Sequence, residues 1–277
     1  MNANDLLILL TACLVTLACV VPGSFLVLRR MTMFGDALSH SVLPGIVVAY
    51  LLSGSLHGWP MLLSATLTGL LVTLLIETVQ QKMRIQSDAA IGLIYTFLFA
   101  LGVILVSLYS RQTDLDQECV LYGDLALIPF EPRYAGLPGA VWTSLLIDLA
   151  LLLVLWIGYR AFWASTFDAG FARASGFSVL FWHYVLMGMV SLATVSAFES
   201  VGAILVVSLL VGPPALAALF ARTLPRMLVL AALFGLISCI AGYSLATRLD
   251  ASIAGAIALV NGLLFALGVA FRKVLSH

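Results

Sequence analysis

DLLILLTACLVTLACVVPGSFLVLRR, from Asp5 to Arg30, is the stretch on which the fold turns. Between its single acid and its closing arginine pair runs an apolar segment long enough to cross a bilayer, which takes about 20 residues in a helix. The run exceeds the apolar core of a secretory signal peptide and ends on basic residues, so it reads as a retained first span. The same pattern recurs along the chain. Candidate spans fall at 6–28, 36–53, 59–80, 89–109, 137–158, 181–198, 200–220, 226–247 and 252–271. The second and sixth are short or polar, so eight or nine spans are expected.

Composition supports that reading. The chain is 62% hydrophobic and 9% charged, with mean hydropathy +1.14. A soluble domain carries roughly a quarter charged residues, so there is too little charge here to cover a water-facing surface. The net charge of zero gives no handle for nucleic acid. Sustained two-residue alternation is absent, which excludes a barrel. The expected fold is all-α, a polytopic transmembrane helical bundle occupying residues 1–277 as a single domain. Cys13, Cys19, Cys119 and Cys239 are scattered without metal spacing, so neither a disulfide framework nor a cysteine metal site is expected.

Charge also orients the chain. With nine spans and the N-terminus outside, the inner loops hold Arg29, Arg30, Lys82, Arg84, Arg160, Arg173, Arg222, Arg226, Arg272 and Lys273, leaving three of the 13 basic residues outside. This obeys the positive-inside rule and puts the C-terminus in the cytoplasm. The acidic stretch DLDQECVLYGD (114–124) then falls outside, and a segment around 160–182, containing FDAGFARASGF, falls in the cytoplasm.

Chemistry concentrates in MTMFGDALSHSVLPGIVVAYLL, Met31 to Leu52. Asp36 and His40, spaced i,i+4, project from one helix face, and Pro44-Gly45 loosens the next turn. A carboxylate with an imidazole suits manganese, iron or zinc, and ionisable residues within apolar spans mark pathways by default. A simpler role is open too: Asp36 caps the helix and His40 pairs with it. Glu199, in VSAFESVGAILVVSLLVGPPALAALF, is either a third pathway ligand or a residue of a solvated turn. Gly212-Pro213-Pro214 is expected to break or kink the following span. Ser87-Asp88 is expected to cap a helix, Glu77 to snorkel or pair with Lys82, and His183 to be incidental. No phosphate-binding loop, zinc-protease helix or serine elbow occurs, so the chain is not expected to be an enzyme or to hydrolyse ATP itself.

The run R-M-x-x-x-GDALSHSVLPG (30–45) resembles the signature of the permeases of zinc, manganese and iron ABC uptake transporters. SDAAIGLIYTFLFALGV (87–103), FDAGFARASGF (167–177) and ESVGAILVVSLLVGPPALA (199–217) match the same family in the same order, and the manganese-type paired permeases are most similar. The resemblance implies a type II ABC importer permease in the bacterial cytoplasmic membrane. Its implied partners are cytoplasmic ATP-binding subunits, a second permease copy or homologue, an extracytoplasmic metal-binding protein and membrane lipid. It implies no permanently bound cofactor, only a transported divalent metal. Asp36, His40 and Glu199 would form the transient metal site, and Phe167, Asp168, Phe171, Arg173 and Gly176 would meet the ATPase. An ion-coupled secondary metal transporter is the alternative from another class.

Overall fold

The computed structural model of the chain describes residues 3–53, 59–109, 125–130, 132–134 and 136–275. The acidic stretch 114–124 and the loop residue His57 lie outside the described residues. Helices dominate because a backbone N–H or C=O left unpaired in hydrocarbon costs several kcal/mol, and a helix satisfies both within its own segment.

In chain order the helices are α1 (Ala3–Leu28), α2 (Met33–Ser41), α3 (Leu43–Ser53), α4 (Trp59–Met83), α5 (Ser87–Tyr109) and α6 (Gly139–Phe167). They continue as α7 (Ala169–Ala174), α8 (Val179–Val201), α9 (Ala203–Phe220), α10 (Leu224–Leu249) and α11 (Ile253–Leu275). Among the described residues, eight helical stretches are long and apolar enough to cross a membrane, with α2 and α3 together forming one. Helix α4 adds a shorter apolar stretch, Thr66–Gln80. The expected segments are thus recovered, with shifted ends.

Three boundaries differ from the sequence expectation. The second segment is two helices, α2 and α3, separated at Val42. Only Gly202, at φ 77°, separates α8 from α9, so Glu199 sits on helical backbone rather than in a turn between spans. Helix α9 runs on through Pro213 and Pro214 without a break.

Helix α1 is the central element, packing against α6, α8, α9 and α10. Its first half joins a core with Val201, Leu205, Leu209, Cys239 and Ile257. Its last turns meet two others: Leu26 packs with Phe34, Leu38, Val72 and Met187, and Phe25 with Leu151, Phe162 and Leu186. Near the start of α1, a 3-10 turn (Leu125–Phe130) inserts buried Leu125 and Ile128 against Ile8 and Ala12. A two-residue hairpin follows, β1 (Arg133–Tyr134) pairing antiparallel with β2 (Leu137–Pro138).

Buried hydroxyls are satisfied locally. Thr16, Ser24, Thr73 and Thr194 each donate to the carbonyl four residues back, at 2.7–2.9 Å. Outward faces are strongly apolar, with Trp156 79%, Leu267 65% and Phe97 61% exposed, as befits helices solvated by lipid tails. With no hydrophobic drive between helices in lipid, close backbone approach through small residues holds them together.

Gly23 marks the tightest such approach, since a Cβ there would meet the backbone carbonyl of Leu210 on α9. Gly92 on α5 has open space instead. We expect Gly23→Ala to destabilise the purified protein by about 1–3 kcal/mol through overpacking. Gly92→Ala is expected to leave stability unchanged or slightly raised. Thermal unfolding of both variants in one detergent checks this, and equal midpoints would contradict the packing of α1 on α9.

Candidate functional site

Asp36 and His40 lie on α2 as their spacing predicts. Asp36 Oδ1 is 3.7 Å from His40 Nε2, and the side chains are 46% and 31% exposed respectively. Phe34, Ala37 and Leu38, on the opposite face, are buried in the core. The His40 ring packs edge-on to Phe99 at 5.6 Å and lies 6.3 Å from the Tyr95 ring. These α5 residues stand about 18 and 12 Å along their helix from Ser87, at a rise of 1.5 Å per residue. The pair therefore sits near the middle of an apolar span, partly open at the surface of the chain. An ionisable pair at that depth is costly against lipid and belongs on a water-filled path or against another protein surface.

The geometry fits a shared ion. Oxygen and nitrogen donors each about 2.1 Å from one divalent metal stand at most about 4.2 Å apart, and the observed separation lies within that reach. Among the described residues no group of three or more His, Cys, Asp or Glu is placed to hold a metal ion. The pair alone would supply two ligands and leave the remaining positions open.

The backbone beside the pair is interrupted. Val42 ends α2, donating to the Leu38 carbonyl, and its own carbonyl receives the amides of Gly45 and Ile46. Pro44 has no N–H, so the His40 carbonyl loses the donor that a continuous helix would provide. Upstream, α1 ends in a Schellman turn. Arg30 takes the left-handed conformation at φ 58°, its amide bonds the Val27 carbonyl, and the Met31 amide bonds the Leu26 carbonyl. Both ends of α2 are thereby held.

Glu199 lies in the last turn of α8, on backbone only; its side chain lies outside the described residues. Ser196 donates to the Ala193 carbonyl, and Ser200 is buried. Asp88 occupies the first turn of α5, where a carboxylate complements the helix dipole.

The FDAGFARASGF segment forms a capped short helix. Asp168 is the N-cap of α7 and accepts the Phe171 amide at 2.9 Å. Gly176, at φ 82°, closes the helix in a second Schellman turn, with the Phe177 amide on the Ala172 carbonyl. Ser178 then caps α8, accepting from the Phe181 amide. The flanking helices end at Phe167 and resume at Val179. Asp168 and Gly176 build the element. Phe167 and Phe171, each 54% exposed, and Arg173 form its outer surface.

Sequence reading missed three groups. Glu77 bonds Tyr184 Oη–H at 2.6 Å and approaches His183 Nε2 at 2.6 Å, so its partners are on α8, not Lys82. His183 is accordingly a network member rather than incidental. Asp148 on α6 is 7% exposed, and its Oδ2 has no hydrogen-bond partner among the described residues. It was the lone acid within LLIDLALLL (145–153), a signal that could have found it.

Replacing Gly176 by Ala should strain the left-handed turn by about 1 kcal/mol or more. The expected outcome is a lower thermal unfolding midpoint for the purified protein, and an unchanged midpoint would contradict the strain argued for this turn.

A model of the ABC 3 transport family matches residues 6–272. The chain is 44% identical over 263 residues to the manganese transport system membrane protein MntD of Bacillus subtilis (strain 168), covering 94% of this chain and 89% of that one. It is 41% identical over 269 residues to the zinc transport system membrane protein TroD of Treponema pallidum (strain Nichols), covering 94% and 72%. The solved structure of PsaBC from Streptococcus pneumoniae in complex with Fab is similar with TM-score 0.81 and 30% identity, covering 97% of this chain and 91% of that chain. The match over nearly the whole bundle, with the polar α2 segment and the capped α7 inside it, shows that the chain belongs to the ABC 3 transport family.

Proposed function

We propose that the chain is the membrane permease subunit of an ATP-driven importer of a divalent transition metal, with manganese the preferred cargo. The observation that carries this reading is the Asp36–His40 pair, partly exposed on the polar helix α2 and packed near mid-span of the apolar α5. Manganese is favoured because a relative of high identity is named as a manganese transport protein. The zinc-named relative keeps zinc as the second candidate, and iron fits the same mixed oxygen and nitrogen donors.

In this reading the basic ends of the helices, at Arg29, Arg84 and Arg173, face the cytoplasm together with the C-terminus. An extracytoplasmic metal-binding protein delivers the ion at the opposite, acidic side. A second permease, self or homologue, covers the α2 and α5 face and completes the pathway. The ion exchanges part of its water shell for the Asp36 carboxylate and the His40 imidazole, and Glu199 is the third candidate ligand. Two fixed ligands hold the ion weakly enough to release it. Magnesium is disfavoured because it dehydrates reluctantly and prefers all-oxygen octahedra. Cytoplasmic ATP-binding subunits dock on Phe167, Phe171 and Arg173 and drive the exchange of access, since the chain carries no phosphate-binding loop.

The test is metal uptake by cells carrying the assembled transporter, with manganese, zinc and iron offered separately. Asp36→Asn and His40→Ala are each expected to lower uptake of one metal by at least about tenfold, as losing a metal-site group commonly does. Assembly with the ATPase should persist. Normal uptake by both variants would make the pair structural and overturn its place in the pathway.

A further inference from the structure

Four helices meet in a half-buried polar cluster at their basic ends. Just past α1, the Arg29 guanidinium donates from Nε to Thr166 Oγ1 at 3.1 Å and from Nη2 to Ser165 Oγ at 2.9 Å, both in the last turn of α6. Its Nη1 contacts His183 Nδ1 on α8 at 3.2 Å. His183 Nε2 lies 2.6 Å from Glu77 Oε1 on α4, and Tyr184 donates to Glu77 Oε2. The His183 and Glu77 side chains are only 15% and 19% exposed. An aromatic stack, Phe25–Phe162–Trp182, with centroids 5.4 and 5.0 Å apart, packs beside it on α1, α6 and α8.

The proton positions follow from donor chemistry. Burial lowers the Arg29 pKa only to about 10, so the guanidinium stays protonated and can only donate. His183 Nδ1 then accepts, which leaves the ring proton on Nε2, 2.6 Å from a Glu77 oxygen though without hydrogen-bond geometry. The imidazole stands between the Arg29 cation and the Glu77 anion. A His–Glu pair is also a metal-ligand set, but Arg29 already occupies the other ring nitrogen and supplies the positive charge. A metal ion there would meet direct repulsion.

The cluster also lies on a continuous mechanical path. Ser165 and Thr166 immediately precede the Asp168 cap of α7. Arg29 immediately precedes the Schellman turn that launches α2, which carries Asp36 and His40. We propose that Arg29, His183 and Glu77 are positioning residues, a latch that carries displacement of α7 to the Asp36–His40 pair. The latch rests on the transport reading above. Movement of the last turn of α6 pulls on Arg29, and Arg29 moves the fixed end of α2. Glu77 and Tyr184 carry the same displacement to α4, which packs against α3 at Gly45 and Thr68.

The test uses the complete transporter, with its ATPase, partner permease and binding protein, reconstituted in vesicles. ATP hydrolysis and manganese uptake are measured together for His183→Ala, His183→Gln, Glu77→Gln and Asp36→Ala. A glutamine side chain offers one acceptor and one donor spaced much like the ring nitrogens, so it can keep an acceptor for Arg29 and a donor facing Glu77. His183→Ala and Glu77→Gln are expected to keep hydrolysis but lower manganese moved per ATP by about tenfold, within the usual range of coupling between sites. His183→Gln is expected to stay close to wild type. The proposal is overturned if His183→Gln fails as badly as His183→Ala. It is also overturned if hydrolysis and uptake fall together in step with assembled protein, which marks a purely structural cluster. Full uptake by Asp36→Ala would instead sink the pathway reading, and the contrast between the two His183 variants would still judge the latch.

Discussion

Within hydrocarbon a backbone amide or carbonyl without a partner is expensive, and this constraint governs where the chain can be irregular. Helices absorb nearly all backbone groups internally, and even buried threonines and serines turn back to carbonyls of their own helix. Departures are therefore informative. Val42 interrupts the second apolar segment two residues after His40, and Gly202 separates α8 from α9 three residues after Glu199. Irregular backbone at membrane depth is tolerated only where protein covers it or a water-filled cavity lies beside it. The interruptions thus stand beside the same residues whose charge is hardest to place in lipid.

A bundle without hydrophobic drive between its helices depends on contact geometry. The backbone of α1 meets α9 where Gly23 faces the Leu210 carbonyl, and α10 meets α11 where Gly242 faces Ile257. Short polar links add registration: Thr16 to Cys239 at 2.9 Å joins α1 to α10, and Asn261 to Ser208 at 3.1 Å joins α11 to α9. By contrast, Met33 is more than half exposed on the face of α2 that carries Asp36 and His40, themselves partly exposed.

Much of this was legible because hydropathy and charge are local properties. Apolar runs of spanning length mark helices whatever their neighbours, and the structure places helices on each of the expected segments. The FDAGFARASGF stretch could be singled out because it interrupts two apolar runs on the side where basic residues collect. Asp36 and His40 could be paired because i,i+4 spacing on a helix is geometry within one segment. Pro213-Pro214 was expected to break or kink its span, and α9 continues through them without a break. Val42 ends α2 just before the Pro44-Gly45 pair, and Gly202 separates α8 from α9.

The amino-acid sequence by itself determined a multi-pass helical chain, the segments that span, the asymmetry of basic residues between loops, and the α2 pair as a unit of chemistry. These depend on transfer free energies and on contacts no farther apart than one helical turn. Only the tertiary structure decided which residues from separate helices touch. Glu77 faces His183 and Tyr184 rather than Lys82, Arg29 reaches Ser165 and Thr166, and Asp148 is buried with an unpaired oxygen. Such pairings join positions more than 100 residues apart and are set by where helices cross and which face each presents, quantities that no segment encodes alone.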